Sequence, residues 1–282
     1  MDLSTYERVI KSESTAFRYV SGFCRENGHR ICPRCRSRKL YRVGSRRRCA
    51  ACRYTFGEFT GRWLGAVRLD PGRWLRVIKL FELELSTRRM AQQLGLDYRT
   101  AYRAVAVIRA AIVAHAPDAD RLLGGEIELD EAYFGGRRKG KRGRGAAGKI
   151  PVFGILERDG RVCVEVVPNV KAETVLALAV EKVRRGSIVY TDRFQIYDSL
   201  MFCGYRHLKI DHAVHFSRGR VHINGLEGFW SFAKERLMKH HGIAPRHFPF
   251  YLKEMEFRFN HRHDDIFTYV IKYLCDPVPK TD

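Results

Sequence analysis

The sequence predicts an α/β protein with one mixed sheet, preceded by a small cysteine-rich module and a helical module. From residue 126 onward, short apolar strands are interspersed with helical stretches, an order compatible with a single mixed sheet. Upstream, two Cys-x-x-Cys pairs lie in a short segment rich in arginine and glycine. Between these regions, residues 69–116 carry two or three helical patterns, which indicates a separate helical module.

Composition places the chain among basic globular proteins. Lys and Arg number 52 against 31 Asp and Glu, so the formal net charge is +21, and the apolar fraction is an ordinary 45%. Such a positive excess attracts polyanions and favours nucleic acid as the partner. The chain has neither a run of about 18 apolar residues nor the apolar core of a signal peptide, so we expect no membrane association and a cytoplasmic location.

The chain length of 282 residues suffices for two small modules and one domain of ordinary size. Pro117 and the pair Gly124-Gly125 mark the boundary before the α/β domain. We expect four parts: an N-terminal helical segment at 1–28, the cysteine-rich module at 29–60, the helical module at 61–118 and the α/β domain at 124–278.

The cysteine-rich module has the spacing of a zinc ribbon. Its candidate ligands form two pairs separated by thirteen residues: Cys32, Cys35, Cys49 and Cys52. Two residues between cysteines let both sulfurs of a pair converge on one tetrahedral Zn²⁺, which would stabilise a segment too polar to form its own core. The spacer fits a hairpin turning at Gly44-Ser45, and the run Arg46–Arg48 could contact phosphates. A redox pair, or a ribbon that contacts only protein, is the alternative.

The helical module contains a candidate helix-turn-helix, STRRMAQQLGLDYRTAYRAVAVIRAAI. Gly95 supplies the turn, and Asp97 is the expected N-cap of the second helix. That helix would present polar side chains suited to the major groove of DNA. The expected exposed positions are Tyr98, Arg99, Thr100, Arg103 and Arg109. A helical hairpin that merely packs is the alternative.

The α/β domain is predicted element by element from apolar periodicity. We expect strands at Glu126–Phe134, Pro151–Glu157, Val162–Pro168, Ser187–Thr191 and near Tyr205–Ile210. We expect helices at Ala172–Arg185, near Ile196–Cys203, and at about 223–239, 246–261 and 266–275. The basic stretch Arg137–Lys149 between two strands is predicted to be a mobile loop that contacts phosphates.

Acidic side chains lie where strands of this domain end. Asp130 closes the alternating run EIELD, and Asp192 ends the apolar strand SIVYTD. The later helix places a polar stripe beside an apolar arc that can pack on the sheet. The stripe consists of Asn224, Glu227, Ser231 and Lys234. A solvated polar face would explain the stripe equally well, but two strand-end aspartates before it favour a metal-binding cage.

These segments resemble the motif blocks of a known family. DEAYFGGRRKGKRG, VYTDRFQIYDSL, HINGLEGFWSFAKERL and YLKEMEFRFNHR are similar to those of bacterial zinc-ribbon insertion-sequence transposases, the ISXO2-like relatives of the Merlin transposons. The similarity runs from about residue 30 to residue 272. It implies an RNase H-like catalytic domain with DDE chemistry, with the first aspartate at Asp130 and the second at Asp192. The third position falls on Asn224 or Glu227, and a lysine of that block falls on Lys234.

Metal-assisted phosphodiester chemistry explains these residue types. Two Mg²⁺ ions, for which Mn²⁺ is able to substitute, would be bridged by Asp130, with Asp192 and Glu227 each holding one. Glu227 is favoured over Asn224 because a carboxylate is the stronger Mg²⁺ ligand and because an N-capping role would explain Asn224. Lys234 would contact a phosphate. His222, before this helix, could position a water or a phosphate, although a histidine at the entry of a helix is more often structural.

The resemblance therefore implies a transposase that binds the ends of an insertion sequence and catalyses Mg²⁺-dependent strand cleavage and strand transfer. Its partners would be double-stranded DNA, both terminal inverted repeats and target, and further copies of itself on the DNA, in the nucleoid region of a bacterial cytoplasm. Two alternatives are open: a nuclease of the same fold without strand transfer, and a non-catalytic DNA-binding regulator.

Overall fold

The computed structural model describes residues 1–26, 31–116, 122–135, 149–158, 160–192, 197, 200–201, 203–209, 223–240 and 242–279. The chain divides into two compact units. Unit 1 comprises Met1–His115 and His263–Asp282, and unit 2 comprises Ala116–Arg262. Among the described residues, no helix is long and apolar enough to cross a membrane.

Unit 1 contains six α-helices in its described residues. They are α1 (Leu3–Ile10), α2 (Glu13–Glu26), α3 (Pro71–Glu82), α4 (Thr87–Leu94), α5 (Tyr98–Ala114) and, from the C-terminal segment, the helix Ile266–Cys275. A short 3₁₀ helix lies at Trp63–Ala66. Side-chain oxygens that accept hydrogen bonds from free backbone N–H groups explain where most of the helices begin. These caps are Asp2, Asp70, Ser86, Asp97 and Asp265.

The C-terminal helix belongs to unit 1 because it packs against α2, α3 and α5. Buried Arg62 ties this core together. Its guanidinium donates to the carbonyl of Cys24 at 3.0 Å and to the carbonyl of Cys275. The sequence placed residues 263–278 in the α/β domain, whereas the compact unit that contains the large sheet ends at Arg262. Apolar periodicity reveals that a helix has a buried face but not which core that face joins.

The pair α4 and α5 has the predicted turn chemistry. Gly95 adopts φ 57° after α4, and Asp97 accepts from the N–H groups of Arg99 and Thr100. The prediction that Arg109 is exposed is wrong, since it is only 5% exposed. Helix α5 packs against several neighbours, including α3, α4 and the C-terminal helix, so its buried face is wider than one apolar stripe.

The cysteine-rich module is a small antiparallel sheet in the order β1-β2-β3. Its strands are β1 (Leu40–Val43), β2 (Arg46–Cys49) and β3 (Thr55–Phe56). The predicted hairpin turn at Gly44-Ser45 is confirmed, and Gly44 has the positive φ of 59° that such a tight turn requires. The two-residue strand β3 was not predicted because it is too short to show alternation.

Unit 2 is built on a five-stranded mixed sheet in the order β6-β5-β4-β7-β8. Its strands are β4 (Glu126–Phe134), β5 (Ile150–Glu157), β6 (Val162–Val166), β7 (Ile188–Thr191) and β8 (Arg206–Lys209). The pairs β4/β5 and β5/β6 are antiparallel, whereas β4/β7 and β7/β8 are parallel. The predicted α/β class, the mixed sheet and these five strands are confirmed, with ends that shift by one or two residues.

Helices cover both faces of this sheet. Helix α6 (Ala172–Lys182) packs on one face, in a core that includes Ile127, Leu129 and Tyr197. Helices α7 (Asn224–Met238) and α8 (Phe248–Asn260) pack on the other, in a core that includes Val152 and Trp230. The C-terminal helix of unit 1 is numbered α9 (Ile266–Cys275). The predicted loop 137–149 lies outside the described residues apart from Lys149, as do His222 and half of the helix expected near 196–203.

The edge strand β6 is closed by side chains of α8. Asn260 accepts from the N–H of Val162 at 2.8 Å and donates to its carbonyl at 2.9 Å. Glu256 accepts from the N–H of Val164 at 2.8 Å, and Lys253 donates to Glu256 at 3.0 Å. The polar residues of the YLKEMEFRFNHR block therefore satisfy a strand edge that would otherwise be open to another chain.

Candidate functional site

The four predicted zinc ligands meet in one cluster. The Sγ atoms of Cys32, Cys35, Cys49 and Cys52 all lie within 4.8 Å of one another. Two of these distances, Cys32 to Cys52 and Cys35 to Cys49, are 3.5 Å. A tetrahedral Zn²⁺ with bonds of about 2.3 Å places sulfurs roughly 3.8 Å apart, so the cluster fits this ion.

Both Cys-x-x-Cys turns have the same backbone geometry. The N–H of Arg36 bonds to the carbonyl of Cys32 at 2.9 Å, and that of Arg53 bonds to Cys49 at 3.0 Å. Both arginines adopt a positive φ, 61° and 59°, which sharpens each turn. The N–H of Cys52 donates to Cys49 Sγ at 3.5 Å. This hydrogen bond is the largest of the effects that together lower the pKa of Cys49 to about 6. The Cys49 thiol therefore loses its proton readily and forms the thiolate, which is the form that binds metal.

The arginine run of β2 is divided between the two faces of the small sheet. Arg47 turns toward Glu58, with Nε 3.2 Å from Oε2. Strand alternation places Arg46 and Arg48 on the opposite face, where their cross-strand partners are Val43 and Tyr41. Tyr41 is 42% exposed and Val43 is 45% exposed. One face of the described ribbon, here called the ribbon face, is therefore formed by Tyr41, Val43, Arg46 and Arg48. Arg48 is half-buried there and donates to the carbonyl of Arg53 at 3.2 Å.

The two predicted aspartates come together on neighbouring strands. Strands β4 and β7 are parallel and pair Ile127 with Val189 and Glu128 with Tyr190. The same register, continued past the end of β7 at Thr191, would bring Asp192 opposite Asp130, and the Asp192 carboxylate indeed contributes to raising the pKa of Asp130. Alternation also directs both side chains to the α7 side of the sheet, because the even-numbered neighbours Ala132 and Phe134 pack with α7.

The surroundings of Asp130 favour its protonated form. Burial is the largest effect, the neighbouring Glu131 carboxylate is the next, and Asp192 adds to both, while the indole N–H of Trp230 opposes them. Together they raise the pKa of Asp130 to about 7. A carboxylate crowded by like charges is stabilised in its ionised form by a cation. Hard oxygen donors in this arrangement fit Mg²⁺.

Helix α7 contacts the strand of Asp130. Trp230 Nε1 donates to Asp130 Oδ2 at 3.0 Å. The other predicted residues of this helix, Asn224, Glu227 and Lys234, are exposed. Lys234 Nζ lies 5.8 Å from the ring centroid of Phe134, four residues after Asp130 on the same strand face. The end of the polar stripe at Lys234 therefore lies near the strand that contains Asp130.

The predicted N-capping role of Asn224 is wrong. The N-cap of α7 is Ile223, which makes no side-chain cap, and Asn224 is the first residue of the helix. The cap comes instead from the sheet, since Glu128 Oε2 accepts from the N–H of Leu226 at 2.9 Å. Sequence analysis could not identify this cap because the two residues are far apart in the chain.

Sequence reasoning missed three residues at this site. Glu128 is 1% exposed and caps α7, and buried Trp230 bonds to Asp130. Glu131, on the other sheet face, accepts from the hydroxyl of Tyr197 at 2.8 Å. Only strand parity contained a usable signal, because alternation places Glu128 and Asp130 on one face of the strand and Glu131 on the other.

Comparison with known proteins gives consistent similarities. Residues 122–260 match the family model of the ISXO2-like transposase domain, and residues 11–55 match that of the transposase zinc-ribbon domain. An "uncharacterized transposase-like protein" of Haemophilus influenzae is 47% identical over 100 residues, which cover 36% of this chain and 81% of that protein. An "uncharacterized protein in transposable element ISH50" of Halobacterium salinarum is 30% identical over 255 residues, covering 80% of this chain and 84% of that protein.

A solved structure also shows a distant similarity. It is the simian T-cell lymphotropic virus intasome in complex with PP2A regulatory subunit B56 gamma, and the match has a TM-score of 0.28 with 12% identity. It covers 55% of this chain and 56% of the matched chain. A similarity this low carries no inference about the present chain.

Proposed function

The chain belongs to the family of ISXO2-like insertion-sequence transposases, and from this premise we propose that it binds the ends of an insertion sequence and catalyses Mg²⁺-dependent DNA cleavage and strand transfer. The observation that carries the proposal is the proximity of Asp130, in β4, to Asp192, which directly follows the adjacent parallel strand β7. The five-stranded mixed sheet with helices on both faces supports an RNase H-like catalytic domain.

The carboxylates Asp130, Asp192 and Glu227 would hold two Mg²⁺ ions. When bound, such ions supply activation of the attacking oxygen and stabilisation of the leaving oxygen in an in-line displacement at phosphorus. Asp130 must give up its proton to take part, because its pKa of about 7 leaves it partly protonated at neutral pH. Lys234 would bind a phosphate of the DNA near these acids.

Glu227 is the third carboxylate that we favour, and this choice now rests on charge alone. Asn224 makes no cap, so a structural role no longer explains it. The remaining reason is charge, because Mg²⁺ beside a phosphodiester is held better by an anionic ligand than by an amide oxygen. Both side chains are exposed on the same helix, one turn apart.

Unit 1 would bind the DNA. Helices α4 and α5 are joined by three residues, Gly95 to Asp97, as in a helix-turn-helix. The first turns of α5 expose Tyr98, Arg99 and Arg103, which would enter the major groove. The four-cysteine cluster would hold a structural zinc ion and so keep the ribbon folded. Joining two element ends would bring at least two copies of the chain together on DNA.

Incubation of the chain with Mg²⁺ and DNA carrying the flanking element ends tests the proposal. Wild-type protein should cleave at the ends and join the resulting 3′-OH to target DNA, and Asp192→Asn should abolish both while leaving end binding nearly intact. Cleavage without joining would indicate a nuclease. Binding without cleavage in the wild type would indicate a regulator, and parallel loss of binding and cleavage in the variant would make Asp192 structural.

A further inference from the structure

We propose that Trp230 is a positioning residue for Asp130, and that Gly154 provides the space in which its indole lies. The inference rests on the proposed function, since it concerns how Asp130 is presented to metal ions. An ionised carboxylate offers about four lone-pair directions on its two oxygens. The indole N–H of Trp230 occupies one of them, on Oδ2 at 3.0 Å, so metal ions would bind through others.

The indole is held rigidly in place. Trp230 is 5% exposed and packs edge-to-face against Phe134 and Phe229, with centroid distances of 6.0 and 5.1 Å. An indole N–H can only donate, so the bond orients the carboxylate in one sense. A rigid donor of this kind fixes the rotamer of Asp130 before a cation arrives, which lowers the entropy that binding must remove.

Gly154 makes this arrangement possible. It lies directly opposite Asp130 in the antiparallel pairing of β4 with β5. A Cβ atom at this position would lie 2.6 Å from Trp230 Cζ2 and 2.8 Å from Cη2, well inside van der Waals contact. The indole therefore lies directly on the backbone of β5. Any side chain at residue 154 would displace the indole and with it the donor to Asp130.

The hydrogen bond between Trp230 and Asp130 also sets the position of Asp130 relative to the other proposed residues of the acidic site. Glu227 precedes Trp230 by one helical turn, and Lys234 follows it by another. Rotation or sliding of α7 along the sheet would move both of these side chains relative to Asp130. The hydrogen bond sets this relation between helix and strand, and the cap from Glu128 to the N–H of Leu226 supports it at the start of the helix.

Metal binding by the zinc-loaded full chain tests the role of Trp230, with Mn²⁺ as the calorimetric probe. Trp230→Phe keeps a ring but removes the donor, and Gly154→Ala keeps the donor but displaces it. Both should weaken Mn²⁺ binding about 10- to 100-fold, as is typical when the partner of a metal ligand is lost. Tyr205→Phe is the matched control, because it removes a buried hydroxyl that bonds the carbonyls of Ala179 and Val183 in the same unit. It should lower stability without changing Mn²⁺ affinity.

The outcomes separate this inference from the proposed function. If Asp130→Asn leaves Mn²⁺ binding of the chain unchanged, the proposed metal site itself is wrong. If Asp130→Asn abolishes binding but Trp230→Phe binds Mn²⁺ as tightly as wild type, only the role of Trp230 is wrong. An equal loss of affinity in Tyr205→Phe would reduce Trp230 to a general structural residue.

A measurement on the wild-type chain covers the case in which the variants fail to fold. The protein has three tryptophans, Trp63, Trp74 and Trp230, so its indole N–H resonances are few enough to assign in a ¹⁵N-tryptophan sample. Addition of Mg²⁺ should shift the Trp230 resonance and leave the other two in place, and Asp130→Asn should remove the shift. If the chain binds Mg²⁺ through Asp130 but the Trp230 resonance does not shift, the inference is overturned.

Discussion

At the scale of single residues, three neighbouring acids of β4 differ in their burial and in their hydrogen-bond partners. Glu128 is almost fully buried and caps a helix, while Asp130, two residues later on the same face, borders the proposed metal site. Glu131 faces the opposite core and bonds to Tyr197. Three acids within four residues thus have three different environments, and of the three it is Asp130 that accepts from the indole of Trp230.

The choice between Glu227 and Asn224 is testable by paired substitutions. We expect Glu227→Gln to lose nearly all cleavage under Mg²⁺, because a neutral amide holds the ion weakly, with partial recovery under Mn²⁺. Asn224→Ala should retain most activity. Cleavage rates for both variants, under both ions, check this expectation. A dead Asn224→Ala beside an active Glu227→Gln would assign the third position to the asparagine.

The raised pKa of Asp130 predicts a pH dependence of stability in the metal-free protein. Folding raises this pKa from 3.8 to about 7, so the folded state holds a proton that the unfolded state releases. The free energy of unfolding should therefore fall as pH rises from about 4 to about 7, by at most about 1.4 kcal/mol per pH unit, and level off above that. Denaturant titrations of the zinc-loaded chain without added Mg²⁺ should show this fall in wild type and a smaller one in Asp130→Asn. Identical pH profiles would contradict the assignment.

At the scale of elements, local chemistry accounts for most of what was predictable. The β4 bounds, the hairpin turn at Gly44-Ser45 and the Asp97 cap follow from residues close together in the chain. The predictions that were wrong, an exposed Arg109 and an N-cap at Asn224, have a common cause. The burial of Arg109 and the cap of α7 depend on neighbours from other elements, which no local pattern records.

The zinc ribbon should depend on its metal for folding. Its described buried core is small, with Phe56 packed against Cys32 and Cys49, so zinc must supply most of the stability. We expect one Zn²⁺ per chain and loss of that zinc in Cys49→Ser, as measured by elemental analysis of purified protein. Cys163→Ser, which alters a cysteine of unit 2, is the control and should retain the metal. Unchanged zinc content in Cys49→Ser would show that the cluster is not a zinc site.

The division of the arginine run predicts which residues of the ribbon contact DNA. Arg46 and Arg48 lie on the ribbon face, whereas Arg47 pairs with Glu58. The double change Arg46→Ala/Arg48→Ala should weaken DNA binding and lower the slope of log K against log salt by about 1.8, or 0.9 for each lost phosphate contact. Arg47→Ala, the matched control, should have little effect on the slope. Equal effects of both variants would argue against a role for this face.

At the scale of the whole molecule, charge and the division into units are the main features. The chain carries a net charge of +21, and the proposed DNA-binding elements lie in unit 1 while the acidic site lies in unit 2. Because of this division, we expect that a substitution in one unit can abolish DNA cleavage without abolishing DNA binding, as in the Asp192→Asn experiment above.

The net charge predicts steep salt dependence of DNA binding. A chain making six or more phosphate contacts should lose roughly 10³-fold or more in affinity between about 50 and 200 mM salt. Titrations of element-end DNA at several salt concentrations measure this slope, and unrelated duplex DNA is the control for its sequence-independent part. An affinity that does not change with salt would exclude phosphate contacts as the main source of binding.

The sequence alone determined which four cysteines form a cluster, the order of strands in the α/β domain, the family resemblance and the two aspartates. All of these depend on spacing along the chain or on the alternation of side chains within one element. Only the tertiary structure decided that α9 belongs to unit 1, that Glu128 caps α7, and that Trp230 lies on Gly154 and bonds to Asp130. The physical reason is that these contacts join residues far apart in the chain, and strand register and core packing, which no local pattern contains, bring them together.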